Sequence, residues 1–275
     1  LRIWRSRLPA RDGGPRDTSW GYWLNVLGHL EDLTNAGTVE ELWDHHTRMM
    51  ARYGFDRLMY GFTRYRTSSS LGDPQDWVLL STQTPEYMKV FFDEGLYRHA
   101  PMIRWALAND GACSWRWMSE KNFIDSLTPS ELRVVEFNNS MQVTVGYTIS
   151  FRSISERSKG AIALTAKPGM TQDAVDAIWE EHGDAIIMMN NVMHLKLLTL
   201  PHSGKRQLTK RQREVLQWVG DGKTTQDIAL LLNLTVATIE KHLRLAREAL
   251  DVDTTAQAVL KAAFNNQMFT IDANL

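Results

Sequence analysis

The most regular alternation of apolar and polar positions lies in the tail of the chain. From Leu208 to Ala263 it reads as four short amphipathic segments, each opened by a threonine and separated by tight turns. Thr209 with Gln212 forms a capping box that opens a first helix over Lys210–Val219, and Gly220 and Gly222 stop it. Thr224 with Asp227 opens a second helix ending near Leu232, Asn233 makes the turn, and Thr235 caps a third. In the third helix Ile239, Leu243, Ala246 and Leu250 recur at i, i+4, i+7 and i+11. They must face a small core, which turns Thr238, Lys241, Arg244 and Leu245 outward. A fourth helix over about Thr254–Asn265 carries Ala256, Val259, Leu260 and Ala263 as an apolar stripe.

Upstream the period changes. Residues 20–53 read as two helices, the second opened by Thr38 with Glu41. Phe55–Arg66 and Trp77–Thr82 read as strands around a Ser/Gly/Pro turn. Pro85–Gly95 and Pro101–Asn109 read as short helices with proline at the tolerated first position. Gly111–Trp115 is a candidate short strand, and Thr128–Ser140 a helix boxed by Thr128 and Glu131. Thr144–Ser153 and Gly160–Lys167 form a hairpin pair. Thr171–Leu198 is one long helix, with Val175, Ile178, His182, Ile186, Met189 and Met193 on a single face. Those methionines fill core rather than ligate.

This order predicts an α/β sandwich, its sheet largely antiparallel with helices on both faces, followed by an all-α tetrahelical domain. The predicted boundaries are 1–19 as a disordered arm or non-native start, 20–199 as the α/β domain, 200–207 as linker, and 208–275 as the helical domain.

Composition narrows the class. The chain is 275 residues, 43% hydrophobic and 23% charged, with no apolar run long enough for a membrane helix. Arg2, Arg5, Arg7, Arg11 and Arg16 precede no apolar stretch, so they do not form a secretory signal. The single Cys113 allows no internal disulfide and fits a reducing cytoplasm. Net charge is −1, and residues 201–275 hold 10 Lys and Arg against 8 Asp and Glu. Affinity for nucleic acid must therefore come from local placement of charge.

The third tail helix supplies that placement. An exposed amino-terminal half carrying Thr238, Lys241, His242 and Arg244 suits a DNA major groove. Arg244 can pair with guanine O6 and N7, while Lys210, Arg211 and Lys223 are candidates for the phosphate backbone. Enzymatic chemistry finds no footing. The string Gly220–Thr224 fails as a P-loop because Gln217 stands where its first glycine belongs. No Gly-x-Ser-x-Gly elbow occurs, and no histidines show metal-ligand spacing with cysteine. No cofactor is expected.

The tail resembles the helix-turn-helix of the LuxR family. The resemblance rests on Leu208-Thr209, Glu214-Val215-Leu216, Gly222, Ile228-Ala229, Thr238-Ile239 with His242-Leu243, and Ala258-Val259. Gln212 and Glu240 depart from the family's usual glutamate and lysine. The resemblance implies that the fourth helix pairs two DNA heads through Ala256, Val259, Leu260 and Ala263, giving a homodimer on a two-fold symmetric site in double-stranded DNA.

Residues 38–198 resemble the acyl-homoserine-lactone-binding domain of quorum-sensing LuxR regulators, on Tyr87-x-x-x-Phe91, Pro101, Trp115 and Gly146. The resemblance implies a pocket in which Tyr87, Phe91 and Trp115 meet the ligand. Ala100 stands where the family has an aspartate that accepts from the ligand's amide N–H, so Ser81 or Thr165 is the substitute acceptor. Met59, Gly61 and Thr63 share one strand face, where Gly61 leaves room. The implied protein is a sequence-specific transcriptional regulator gated by a small hydrophobic signal such as an acyl-homoserine lactone. The alternative is a ligand-independent regulator whose first domain only dimerises.

Overall fold

The computed structural model describes residues 18–67, 70–153, 155–201 and 207–268. The predicted arm at 1–19 lies almost wholly outside the described residues, as do residues 202–206 of the predicted linker at 200–207.

Five strands form one antiparallel sheet: β1 (Phe55–Thr63), β2 (Val78–Ser81), β3 (Gly111–Ser114), β4 (Gly146–Phe151) and β5 (Lys159–Ala166), in the order β2-β1-β5-β4-β3. Side-chain alternation sorts each strand between two faces. Leu58, Tyr60 and Phe62, with Tyr147, Ile149, Phe151, Ile162 and Leu164, face a core shared with α1 (Thr18–Asn35), α2 (Val39–Arg52) and α7 (Gln172–Leu197). Met59 and Ala163 face the other way. There they meet a smaller aromatic cluster built on α3 (Pro85–Met88), α4 (Pro101–Ala108), α5 (Lys121–Ile124) and α6 (Pro129–Ser140), with Tyr87, Phe91, Tyr97 and Trp115 at its centre. The α/β sandwich is as the sequence predicts.

Local differences have local causes. The first strand ends at Thr63 rather than Arg66, where the Thr63 hydroxyl turns to the Leu71 carbonyl at 2.9 Å. The helix read over Pro85–Gly95 holds α geometry only to Met88, and Lys89–Asp93 widens into a π turn in which the Glu94 N–H reaches the Lys89 carbonyl. Thr38 caps α2, but its expected partner Glu41 accepts from the Gly37 N–H instead. Gly146 admits no side chain, because a Cβ there would sit 2.2 Å from the Leu164 carbonyl oxygen across the sheet.

Four of the six residues predicted to share the inner face of α7 are buried, while Ile178 and His182 are only half-buried. Val175, Ile186, Met189 and Met193 are all sealed in core, and Asn190 beside them accepts on its amide oxygen from His46 Nε2 at 3.0 Å.

The tail folds as four helices: α8 (Lys210–Gly220), α9 (Thr225–Leu232), α10 (Val236–Leu250) and α11 (Thr255–Phe264). Reciprocal capping boxes open α8, α9 and α11, and Thr235 caps α10. Asn233 takes a left-handed conformation, φ 52°, at the turn into α10. Ile239, Leu243, Ala246 and Leu250 pack against Val215, Leu216, Ile228 and Ala258 in a separate core.

Candidate functional site

Two cavities open between the sheet and α3–α6. The larger, about 400 Å³, is lined by Tyr87, Phe91, Ala100, Pro101, Trp115 and Thr165 among others. The smaller, about 140 Å³, lies beside it under β1 and β2 and is bounded by Gly61, Leu71, Trp77, Leu79, Tyr97 and Ala106. Met59, Met102, Ile103 and Ala163 line both, so only these side chains separate the two spaces.

The floor follows from strand periodicity. Gly61 on β1 pairs with Ala161 on β5 and Leu79 on β2, and a Cβ at Gly61 would meet nothing within 4 Å. Small residues on the inward face of β1 and β5 therefore leave space that bulky ones would fill. In the larger cavity Tyr87 stacks on Phe91 with ring centroids 5.2 Å apart. Its hydroxyl donates to Asn138 Oδ1 at 2.9 Å, and burial raises the phenol pKa well above its ordinary value. The Trp115 indole N–H donates to the Thr148 hydroxyl at 2.9 Å. The Tyr87 phenol and the Trp115 indole thus already have partners inside the protein.

Polar capacity lies elsewhere in this cavity. Gln83 reaches Thr165 with its amide nitrogen only at 3.5 Å, leaving a loosely held amide and hydroxyl on the cavity wall. Ala100 contributes a methyl group, and its carbonyl accepts from the Arg104 N–H at 3.1 Å. Arg104 also pairs with Glu131, which tethers α4 to α6 beside the cavity. The neighbouring His99 is exposed.

One sequence-based expectation at the cavities needs correction. Ser81 lines neither cavity: its hydroxyl donates to the Leu58 carbonyl on β1 and accepts from the Gln83 N–H just beyond β2. The room beside Gly61 is the small cavity. Gln83 and Asn138 escaped notice because neither sits in a periodic segment whose phase marks it. The alternation Ala161, Ala163, Thr165 did carry a signal, since small residues on one strand face predict room beside it.

Cys113 is half-buried, accepts from the Trp117 indole at 3.2 Å, and has its thiol pKa raised by burial. That setting disfavours a reactive thiolate.

The second candidate surface is on the tail. Lys241 and Arg244 on α10 are exposed, Thr238 and His242 half-buried beside them. Arg244 pairs with Glu248 one turn on, at 2.6 Å, with both side chains more than half exposed. An exposed pair of this kind yields readily to a better anion. Lys210, Arg211 and Lys223 are exposed on α8 and the turn after it. On α11, Ala256, Leu260 and Ala263 face outward, Leu260 being 54% exposed. Val259 does not join them. It packs into the tail's own core, one residue out of phase with the exposed stripe.

The family models agree with this geometry. The autoinducer binding domain matches residues 38–197, and the model for bacterial regulatory proteins of the luxR family matches residues 206–262. The chain belongs to the LuxR family. Among similar proteins, the transcriptional activator protein BjaR1 of Bradyrhizobium diazoefficiens is 26% identical over 249 residues, covering 88% of this chain and 95% of its own. The transcriptional activator protein AnoR of Acinetobacter nosocomialis is 21% identical over 245 residues, covering 84% and 95%. The solved structure of CepR2, an N-acylhomoserine-lactone-dependent LuxR-family factor from Burkholderia cenocepacia, shares the fold at a TM-score of 0.50 and 15% identity, covering 63% of this chain and 94% of that one.

This LuxR-family chain is accordingly a DNA-binding transcriptional regulator, with a signal-receiving α/β domain ahead of a helix-turn-helix head. Among the described residues no helix is long and apolar enough to cross a membrane.

Proposed function

We propose that a small neutral molecule with an apolar tail occupies the two adjoining cavities and controls how two copies of the chain engage DNA. The observation that carries this reading is that a larger, partly polar cavity lies against a smaller apolar one, divided from it only by Met59, Met102, Ile103 and Ala163. A volume near 400 Å³ suits a small ligand, and no unpaired charge is needed to hold a neutral one. The head group of the ligand meets Gln83 and Thr165, with Tyr87, Phe91 and Trp115 as apolar walls. Its tail runs over Met59 toward Gly61. An acyl-homoserine lactone fits this description if its amide N–H is accepted by Gln83 or Thr165, since Ala100 offers no carboxylate.

The output side is a homodimer whose α10 helices enter successive major grooves of a two-fold symmetric site. Arg244, Lys241, Thr238 and His242 face the bases, and Lys210, Arg211 and Lys223 the phosphates. The exposed stripe Ala256, Leu260 and Ala263 brings the heads together. The protein works in the cytoplasm, without cofactor, metal or catalysis.

Thermal melts with lactones of increasing chain length test the ligand reading. A ligand at one hundred times its Kd stabilises the native state by about 2.7 kcal/mol. The expected result is a rise in Tm of several degrees, and a flat series would remove lactones from consideration.

A second reading is favoured by the internal bonds Tyr87–Asn138 and Trp115–Thr148, which satisfy both aromatic polar groups without a ligand. In that reading the first domain only dimerises. Native mass spectrometry of the protein purified from its own host separates the two, because a retained small molecule supports the first and its consistent absence the second.

A further inference from the structure

Helix α11 has a third face, turned neither to its own core nor to solvent. Lys261 on that face reaches Asp76 of the α/β domain, its Nζ 2.9 Å from both carboxylate oxygens, and each side chain is only 9% exposed. The same ammonium lies 5.7 Å from the centre of the Tyr65 ring. Phe264, one turn on, packs against Tyr65, and the Arg64 guanidinium sits 5.5 Å from the Phe264 and Phe62 rings alike. Beyond the helix the Asn266 amide donates to the carbonyls of Leu198 and Leu200 at 2.6 and 3.0 Å.

The segment that receives α11 is also a wall of the small cavity. Phe62, Thr63, Leu71 and Trp77 line that space, and Trp77 directly follows Asp76. Trp77 belongs to no strand. It is held by its indole N–H to the Leu71 carbonyl at 2.8 Å and by edge packing on Tyr97. The opposite wall is β1 and β5, paired along their length.

We propose that the Asp76–Lys261 seam is a latch between the two domains, opened by filling the small cavity. An apolar cavity near 150 Å³ accommodates a group about the size of benzene. This one, at about 140 Å³, has no spare room for anything longer. A longer group must move part of the lining, and Trp77 is the part outside the sheet that directly adjoins the seam. Displacing Trp77 carries Asp76 away from Lys261. A buried ion pair does not stretch gradually, because each charge left alone in the interior is strongly unfavourable. The seam is therefore either closed or released into water, and release frees the DNA head from one fixed orientation.

Hydrogen exchange on the full chain tests this without ligand or DNA, so its outcome is independent of the signal reading above. Asp76→Asn breaks the pair directly. Gly61→Leu fills the cavity from the sheet side, starting from a Cβ with nothing within 4 Å, and Gly61→Ala occupies only that open space. Exchange in residues 62–77 and 255–267 is expected to rise together by about tenfold in Asp76→Asn and Gly61→Leu, with 146–151 and 239–250 unchanged and Gly61→Ala like the parent. Gly61→Met replaces the leucine variant if leucine prevents folding. Protection of 255–267 that survives Asp76→Asn would overturn the latch. Loosening of 62–77 alone in the cavity-filling variant would overturn its link to the cavity.

Discussion

The indole of Trp115 and the hydroxyl of Thr148 are joined by a 2.9 Å hydrogen bond on the cavity side of the sheet. Both residues are buried, at 5% and 4% exposure, so the N–H has no water to turn to. Thr148→Val leaves that donor unmatched and is expected to destabilise the chain by about 1–3 kcal/mol in urea melts. Pairing it with Trp115→Phe removes the donor as well and should recover much of the loss. If the double variant is as unstable as the sum of the singles, the bond is not the cause.

Gly61 sets the reach of the small cavity. Gly61→Val adds a three-carbon isopropyl group to a floor with nothing within 4 Å of a Cβ, enough to displace about two methylenes of a tail. Buried methylene groups contribute about 0.8 kcal/mol each. The variant should lose about tenfold in affinity for a long-tailed ligand while a short-tailed one binds unchanged, as calorimetric titration of a chain-length series would register. Equal losses for short and long tails would mean that the tail does not reach Gly61.

Three buried histidines make acid a threat to the fold. His46 and His194 are 0% and 7% exposed. Burial lowers their pKa values to about 3 and about 4, and that of His29 to about 4. Each is neutral in the folded state, so below the ordinary value of 6.5 the unfolded chain binds more protons. Stability is then fully present above pH 6.5 and is lost as pH falls toward 4. Urea midpoints at pH 7.5 and 5 should differ by an amount equivalent to about 2 kcal/mol per histidine, with Asp and Glu contributing little over that interval. His194→Asn should shrink the difference. A midpoint that does not move between the two values would show that these rings reach water.

On the head, Glu240 is exposed beside Lys241 on α10. Glu240→Lys replaces repulsion of phosphate with attraction. Fluorescence anisotropy should show tighter binding to every sequence tested and a salt dependence steeper by about one counterion. An effect confined to one sequence would place residue 240 at a base edge instead.

How much of this was legible in the chain depended on periodicity. The four tail helices could be read almost to the residue, because each is opened by a threonine whose side chain caps it, and because Ile239, Leu243, Ala246 and Leu250 fix the phase of α10. The sheet was equally plain where β4 and β5 alternate. The site was legible in part. Tyr87, Phe91, Trp115 and Thr165 do share a cavity, whereas Ser81 is turned to the backbone of β1 by a bond that no spacing announces. Val259 missed the exposed stripe because an apolar residue on a short helix can serve either neighbouring face, and packing decides which. The seam between Asp76 and Lys261 joins positions 185 residues apart, and no local pattern pairs them.

The proposed reading of DNA by α10 through Arg244 is tested by selecting binding sequences from a random duplex library. The full chain should enrich a two-fold symmetric site, its affinity falling steeply with salt, and Arg244→Ala should weaken that complex by about 1–3 kcal/mol and relax the preference at one base pair in each half. Failure to enrich any sequence, or an Arg244→Ala protein that selects the same site with the same affinity, would contradict it.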